Sequence, residues 1–435
     1  MGHIGGRTLA PFGRLICRAI GIKPKEKDEM SDVDLAPAAS NKPDTPTTAY
    51  DHMAARAPRG IRYRLTEPYV PDQSAVINAL TAVVTSNYYT QGPRVKDFER
   101  TFASLVGRKY AIACNSGTSA LHLALDALRI AAGDAVLLPA YTCVATVLPI
   151  KYARARAVYA ERFGGSTTPS WNMSVEDLNV HAHEDLKAVV PVALYGEPLS
   201  DDLFAACAER GIPTIEDACE ASGAAGIGRS GTISCFSLRG DKMFTSGGSG
   251  GMALTDDPEL ARRMLIARDM HLPIEPQKRY DATGYGFSYE MAELQAAMGL
   301  VTLGWLGESV ARRRSVHAWY RTALATRGVF EMIEHTDRSS VWRVAIRPAD
   351  PKLRNRAWRD DFLTRARSQG VEALPGFTPL SWLGNPDVRH EVNGVCCIPC
   401  HPKLTRADVE EIVSTLEAAI KEPSVPRLLS TTWAS

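Results

Sequence analysis

A chain of 435 residues, 45% hydrophobic and 23% charged, is long enough to bury a large core and is expected to do so as two lobes. Its 50 basic and 49 acidic side chains nearly cancel, to a formal net charge of +1, so no global field draws it to nucleic acid or to an acidic partner. No apolar run approaches the length that spans a bilayer, and the nine scattered cysteines read as buried free thiols, so the expected location is the reducing cytoplasm. No metal centre is expected.

Residues 1–60 read as an extension. Leu9, Phe12, Leu15, Ile16, Ala19 and Ile20 recur at helical spacing between Arg7, Arg14 and Arg18, and Lys23, Lys25 and Lys27 follow. A basic amphipathic helix of this kind suits weak contact with an anionic membrane surface; the alternative is a poorly ordered tail. Arg14 and Arg18 interrupt any signal-peptide apolar core. Residues 28–59, with Pro37, Pro43 and Pro46, form a polar linker.

A regular pattern starts after Pro71. Val76, Ile77, Leu80 and Val83 mark a helix face, residues 87–93 a turn, residues 95–105 a second helix and residues 110–114 a buried strand. That strand runs into Asn115-Ser116-Gly117-Thr118-Ser119 and then an apolar helical stripe, Leu121, Ala124, Leu125 and Leu128. A strand ending in a small, hydroxyl-bearing turn that opens a helix can seat a phosphate on unpaired N–H groups, with the Thr118 hydroxyl alongside. Equally, Ser116 or Thr118 could simply cap the helix.

Strands at 135–139, 157–160, 188–194 and 213–216 alternate with helices at 142–152 and up to residue 210. This alternation predicts an α/β fold with a mostly parallel sheet, ligands sitting at the carboxyl ends of its strands. Asp217 falls at such an end, where a carboxylate can pair with a protonated ring nitrogen of a cofactor or merely cap a helix. Next comes a strand end at 235–238, then Lys242, then a loop holding Gly247, Gly248, Gly250 and Gly251. A lysine amine attacks a carbonyl only as the free base, which desolvation favours, and glycines let backbone approach a ligand closely. The pattern suits a Schiff-base lysine holding an aldehyde cofactor, although a lone loop lysine is more often just solvated. Phosphate turn, ring carboxylate and lysine follow one another in a workable order.

Beyond it, a helix at 259–268, a polar loop at 273–286, one long helix at 291–314, strands at 341–346 and 371–374 and a closing helix at 406–420 predict a smaller α/β lobe. Cys397-Ile398-Pro399-Cys400-His401 matches the haem-attachment spacing, but attachment needs an export signal that is missing. Residues 247–251 lack the G-x-G-x-x-G spacing of a dinucleotide fingerprint.

Taken in order, Thr90-Gln91-Gly92-Pro93, Asn115-Ser116-Gly117-Thr118-Ser119-Ala120-Leu121, Leu138-Pro139-Ala140-Tyr141-Thr142, Leu194-Tyr195-Gly196, Ile215-Glu216-Asp217-Ala218, Phe236-Ser237, Gly240-Asp241-Lys242, Met291-Ala292-Glu293-Leu294-Gln295 and Pro399-Cys400-His401-Pro402 resemble the DegT/StrS-type sugar aminotransferases. These are fold-type I pyridoxal phosphate enzymes. The resemblance runs from about residue 69 to residue 420 and implies a seven-stranded, mostly parallel sheet in a large domain (61–270), then an interdomain helix and a small α/β domain (271–435). It implies pyridoxal 5'-phosphate as cofactor, Lys242 as Schiff-base lysine and proton shuttle, and Asp217 on the pyridine nitrogen. Gly117, Thr118 and Ser237 would hold the phosphate, and Glu220 would lie near the phenolic oxygen. Cys143 stands where an aromatic residue usually stacks on the ring. Ser288 replaces an asparagine that reaches the phosphate across a homodimer. Ala193, Ser249 and Glu290 also depart from the family pattern.

Glu220 and Gly240-Asp241-Lys242, the latter similar to the Gly-Asn-Lys of perosamine synthases, lean towards amination of a nucleotide-linked 4-keto-6-deoxyhexose, with glutamate as the expected donor. The departures keep open an aminocyclitol or other natural-product ketone as acceptor. A catalytically silent, cofactor-binding scaffold is the alternative from outside enzymology.

Overall fold

The computed structural model describes residues 60–161, 171–272, 281–377 and 392–421. The amphipathic segment and linker expected before residue 60 lie outside these residues, as does most of the polar loop expected at 273–286.

Two helices lead in, α1 (Gln73–Ser86) and α2 (Pro93–Val106). Then come β1 (Tyr110–Cys114), α3 (Gly117–Ala127), β2 (Ala135–Pro139), α4 (Val144–Tyr152), β3 (Arg156–Ala160), α5 (Val175–Val180) and β4 (Leu186–Val189). They are followed by α6 (Asp201–Glu209), β5 (Ile215–Asp217), β6 (Ile233–Ser237), β7 (Gly251–Thr255) and α7 (Pro258–Arg268). The ladders run β3-β2-β4 and β1-β7-β6-β5. Parallel bridges Val189–Thr214 and Val192–Asp217 join β4 to β5, making one seven-stranded sheet of order 3-2-4-5-6-7-1 among the described residues. Only β7 runs against the rest. Every residue of β2 and β6 is buried, as befits central strands covered by helices on both faces.

The structure departs from the expected elements at several places. Of the strand expected at 371–374, Val371 makes only an isolated bridge to Tyr63 and the paired strand is Leu374–Pro375, while a helix at Arg356–Ser368 was not expected. The strand expected at 188–194 pairs with β2 only as far as Val190, whose amide donates to Leu137 at 2.7 Å, and Pro191, with no N–H, interrupts its pairing with β5 before the Val192–Asp217 bridge. The chain then turns at Leu194–Gly196, with Tyr195 at φ 55°. Strand β7, a fully buried run between a glycine loop and α7, was not expected. The single helix expected at 291–314 is two, α8 (Glu293–Leu303) and α9 (Leu306–Ala325). At the break, the Gly304 and Trp305 amides bond three residues back, to Val301 and Thr302. The strand expected at 341–346 begins only at Val344, because Val341 sits at φ 55° and the Trp342 amide donates to the Tyr195 carbonyl at 2.8 Å.

The second sheet is antiparallel and comprises β8 (Phe330–Met332), β9 (Val344–Pro348), β10 (Leu374–Pro375) and β11 (Cys396–Ile398), in the order 10-11-9-8. Helices α9, α10 (Arg356–Ser368) and α11 (Arg406–Lys421) share an apolar core with it through residues such as Tyr320, Phe362, Ile346 and Val413. Cys397 and Cys400 are buried free thiols at this sheet. Among the described residues no helix is long and apolar enough to cross a membrane.

Candidate active site

The carboxyl ends of β1, β5 and β6 converge on a cavity of about 160 Å³. Gly117, Thr118, Cys143, Asp217, Glu220, Ser237 and Lys242 all line it, so seven of the eight residues singled out in the sequence meet there. Ser288 does not. It lies exposed outside, its hydroxyl donating to Glu290 Oε2 at 3.2 Å and its carbonyl accepting from Asn115 Nδ2 at 3.3 Å.

At the end of the cavity formed by the start of α3, Ser116 caps the helix by accepting from the Ser119 amide at 3.0 Å. Capping and anion binding coexist here. The amides of Gly117 and Thr118 lie in the first turn and have no carbonyl partner within the helix, so they remain as donors at the positive end of the helix dipole. Ser237, the last residue of β6, faces them across the cavity wall. Gly117 must be glycine: a Cβ there would stand 2.8 Å from Ser237 Cβ and 3.0 Å from Cys219 Sγ.

Asp217 ends β5 with its carboxylate buried and aimed by two donors. Thr146 Oγ1 donates to Oδ2 at 2.8 Å and the Cys219 amide to Oδ1 at 3.1 Å, while the Thr142 hydroxyl lies 3.0 Å behind Thr146. Glu220 accepts from the Tyr195 amide at 2.8 Å, and its Oε1 lies 3.8 Å from Lys242 Nζ. Burial pushes the Glu220 carboxyl up to about 7 against the pull of the Lys242 ammonium. Burial also raises the thiols of Cys143 and, much further, Cys219, so both stay neutral and neither competes with the lysine for an aldehyde.

Lys242 sits on a loop that closes on itself. The Leu238 amide donates to the Gly250 carbonyl at 2.8 Å, Gly240 to Gly248 at 3.0 Å and Lys242 to Arg239 at 2.9 Å. Helices α8 and α9 clamp this loop, the Ser309 hydroxyl bonding the Met243 carbonyl at 3.0 Å and Thr302 the Thr245 carbonyl at 2.6 Å. The amine lies 3.8 Å from the centroid of the Trp342 ring, on the segment that leads into β9 of the second sheet. Below that ring, Tyr141 and Tyr195 share a 2.6 Å hydrogen bond between their hydroxyls, and Tyr195 stacks on Phe377 at 5.7 Å.

Thr146, Cys219, Arg239 and Trp342 are the members of the site that sequence reading missed. Thr146 had a signal, lying four residues after Thr142 on a helix leaving β2. Trp342 had none, because its approach to Lys242 depends on how the second sheet docks.

The residues present fit pyridoxal phosphate. There is a helix end and a hydroxyl for the phosphate, a buried acid for the ring nitrogen and an amine for the aldehyde. A seven-stranded sheet of this order, with the acid after β5 and the lysine after β6, defines a fold-type I pyridoxal phosphate-dependent transferase. The chain belongs to the DegT/DnrJ/EryC1/StrS aminotransferase family, whose profile matches residues 71–417. It is 33% identical over 346 residues to the GDP-perosamine synthase of Caulobacter vibrioides, covering 76% of this chain and 91% of that protein. It is 31% identical over 351 residues to the putative pyridoxal phosphate-dependent aminotransferase EpsN of Bacillus subtilis, covering 75% and 87%. Among solved structures, the aminotransferase TlmJ from Streptoalloteichus hindustanus superposes with a TM-score of 0.74 at 25% identity, over 83% of this chain and 99% of that one.

Proposed function

We propose that this aminotransferase moves an amino group from glutamate to a keto sugar, specifically a nucleotide-linked 4-keto-6-deoxyhexose. The observation that carries the reading is the convergence of Lys242, Asp217 and the Gly117–Thr118 helix end on one cavity. The sugar class is supported by the identity to a GDP-perosamine synthase over nearly that protein's full length. The bound cofactor supplies an aldehyde for the lysine and an electron-withdrawing ring.

The chain's own residues do the rest. Gly117, Thr118 and Ser237 hold the phosphate, and Asp217, aimed by Thr146 and the Cys219 amide, keeps the ring nitrogen protonated. Lys242 would take the proton from the donor's Cα as general base and give it back as general acid. Its closed loop keeps that amine in place for both steps. Glu220 offers a carboxyl that both gains and loses its proton near neutrality.

The working unit we propose is a homodimer. Ile77 and Val84 lie two turns apart on α1, with Tyr88 and Tyr89 just beyond, and all four are exposed, an apolar face suited to a second copy. Ser288 and Glu290, outside their own cavity, are then placed to serve the partner's. The eight described cysteines, all free thiols, fit a cytoplasmic location, and weak membrane contact through residues 1–59 completes the proposal.

Mixing the purified holoprotein with glutamate should abolish its visible absorption band, and a nucleotide-linked keto sugar should restore it. A band that persists through glutamate treatment refutes the donor. A panel of such sugars that never restores it refutes the acceptor class. Lys242→Ala should carry no borohydride-fixed cofactor; a covalent adduct in that variant would remove the basis of the reading.

A further inference from the structure

We infer that Arg239 is the anchor for the carboxylate of the amino donor, an inference that rests on the aminotransferase reading. Among the residues lining the cavity, the acids are Asp217 and Glu220 and the cations are Lys242 and Arg239. The lysine nitrogen is committed to the cofactor, and the Gly117–Thr118 helix end to its phosphate. An anion arriving beside Lys242 therefore finds one further cation among the lining residues, Arg239, while Arg343 lies buried behind Trp342 and Asp241.

The geometry leaves this side chain available. The side chain is 69% exposed, and its ion-pair partner, Asp241 Oδ1, stands 3.6 Å from Nε, beyond hydrogen-bonding distance. Asp241 is moreover shared with the buried Arg343, whose Nη2 lies 3.4 Å from Oδ2. The backbone of Arg239, by contrast, is fixed. It bridges Gly248, and its carbonyl accepts from the Lys242 amide at 2.9 Å. Arginine and lysine thus spring from one rigid turn, the first movable at its tip and the second aimed into the cavity.

The chemistry of the donor matches that pairing. In an amino acid the carbon that loses its proton carries the carboxylate directly, so clamping the carboxylate sets which bond faces the lysine. A guanidinium does this with two parallel hydrogen bonds. A keto sugar has no carboxylate on its reacting carbon; its phosphates lie at the far end of the molecule. Arg239 should therefore act on one half-reaction and not the other.

The test uses holoenzyme carrying Arg239→Gln or Arg239→Lys, with the visible cofactor band as a check on the intact site. In Arg239→Gln the donor half-reaction with glutamate should lose about ten- to hundredfold in kcat/KM, with Arg239→Lys recovering part of it. The acceptor half-reaction, started from amine-loaded enzyme, should stay within about twofold of wild type. Binding of α-methylglutamate, which lacks the Cα proton and so binds without transferring its amine, should weaken by the same factor as the donor reaction. Wild-type affinity for α-methylglutamate in Arg239→Gln overturns the inference. So does a loss confined to the acceptor half-reaction, which would assign the arginine to the nucleotide's phosphates. A wild-type enzyme that neither reacts with glutamate nor binds α-methylglutamate overturns the glutamate-donor reading on which this inference rests.

Discussion

Replacing Thr146 with valine removes one hydroxyl and leaves the shape of the site almost unchanged. That hydroxyl donates to Asp217 Oδ2 at 2.8 Å, with both residues nearly inaccessible to water at 2% and 3% exposure. The carboxylate would keep the Cys219 amide on its other oxygen, at 3.1 Å, but Oδ2 would be left without its donor. A hydrogen bond to a buried charged group is worth about 1.5–3 kcal/mol, and water has little room to replace this one. If Asp217 acts by holding a cationic ring nitrogen, a carboxylate freed to rotate loses that aim in the transition state. The same energy then appears as a roughly ten- to 150-fold slower donor half-reaction. Stopped-flow decay of the visible band at saturating glutamate reads this directly, with Thr146→Ser as the variant that keeps the hydroxyl and should stay near wild type. A Thr146→Val enzyme that binds cofactor and reacts within about threefold of wild type would refute the claim that Thr146 aims Asp217.

The remaining predictions concern the walls, the acid and the surface. Gly117→Ala should cost about 1–3 kcal/mol and weaken cofactor binding, because its Cβ would meet Ser237 and Cys219. Gly248→Ala, with nothing within 4 Å of the new atom, should do neither, and thermal unfolding with cofactor titration compares the two. Glu220 holds its proton more tightly folded, at about 7, than its ordinary 4.5, so the folded state binds more protons between those values. The apoenzyme should therefore lose stability from this group as pH climbs through that window, and urea unfolding of Glu220→Gln should show a flatter curve there. Charging the exposed apolar face with Ile77→Asp and Val84→Asp should shift the sedimenting species from dimer to monomer, while a dimer that survives both changes places the interface elsewhere.

Sequence pattern was most informative where local chemistry and position coincide. Asp217 and Lys242, each commonplace where it stands, were legible through their order along the chain after the small-residue turn and through the family resemblance of the motifs around them. The Gly117–Thr118 turn was legible in that company, since a strand-to-helix junction of small residues serves helix capping as readily as anion binding, and here does the former through Ser116. The strand expected at 341–346 failed for the opposite reason. Its residues are apolar enough to pair, but the Tyr195 carbonyl captures the Trp342 amide and holds Val341 in the left-handed region. Strand β7 escaped notice because five buried residues between a glycine loop and a helix carry no periodicity of their own. The break at Gly304 shows the same limit, since apolar spacing continued across it.

Those long-range captures are concentrated around Lys242. Tyr195 and Val341 both hold positive φ, at 55° each, a conformation that costs a residue with a Cβ roughly 1–2 kcal/mol. They face each other across the junction between the two sheets, where the Ser340 amide donates to Gly196 at 2.9 Å and the Trp342 amide to Tyr195 at 2.8 Å. The Tyr195 amide meanwhile donates to Glu220, so one strained residue holds both the acid on one side of the lysine and, through its carbonyl, the backbone of Trp342, whose indole on the other side donates to the Asp241 carbonyl at 2.7 Å. Strain that persists where several hydrogen bonds converge is held there by the surrounding structure. The consequence is that Glu220 and Trp342 cannot be moved independently: a change that releases Tyr195 from the left-handed region displaces both neighbours of the reactive amine at once.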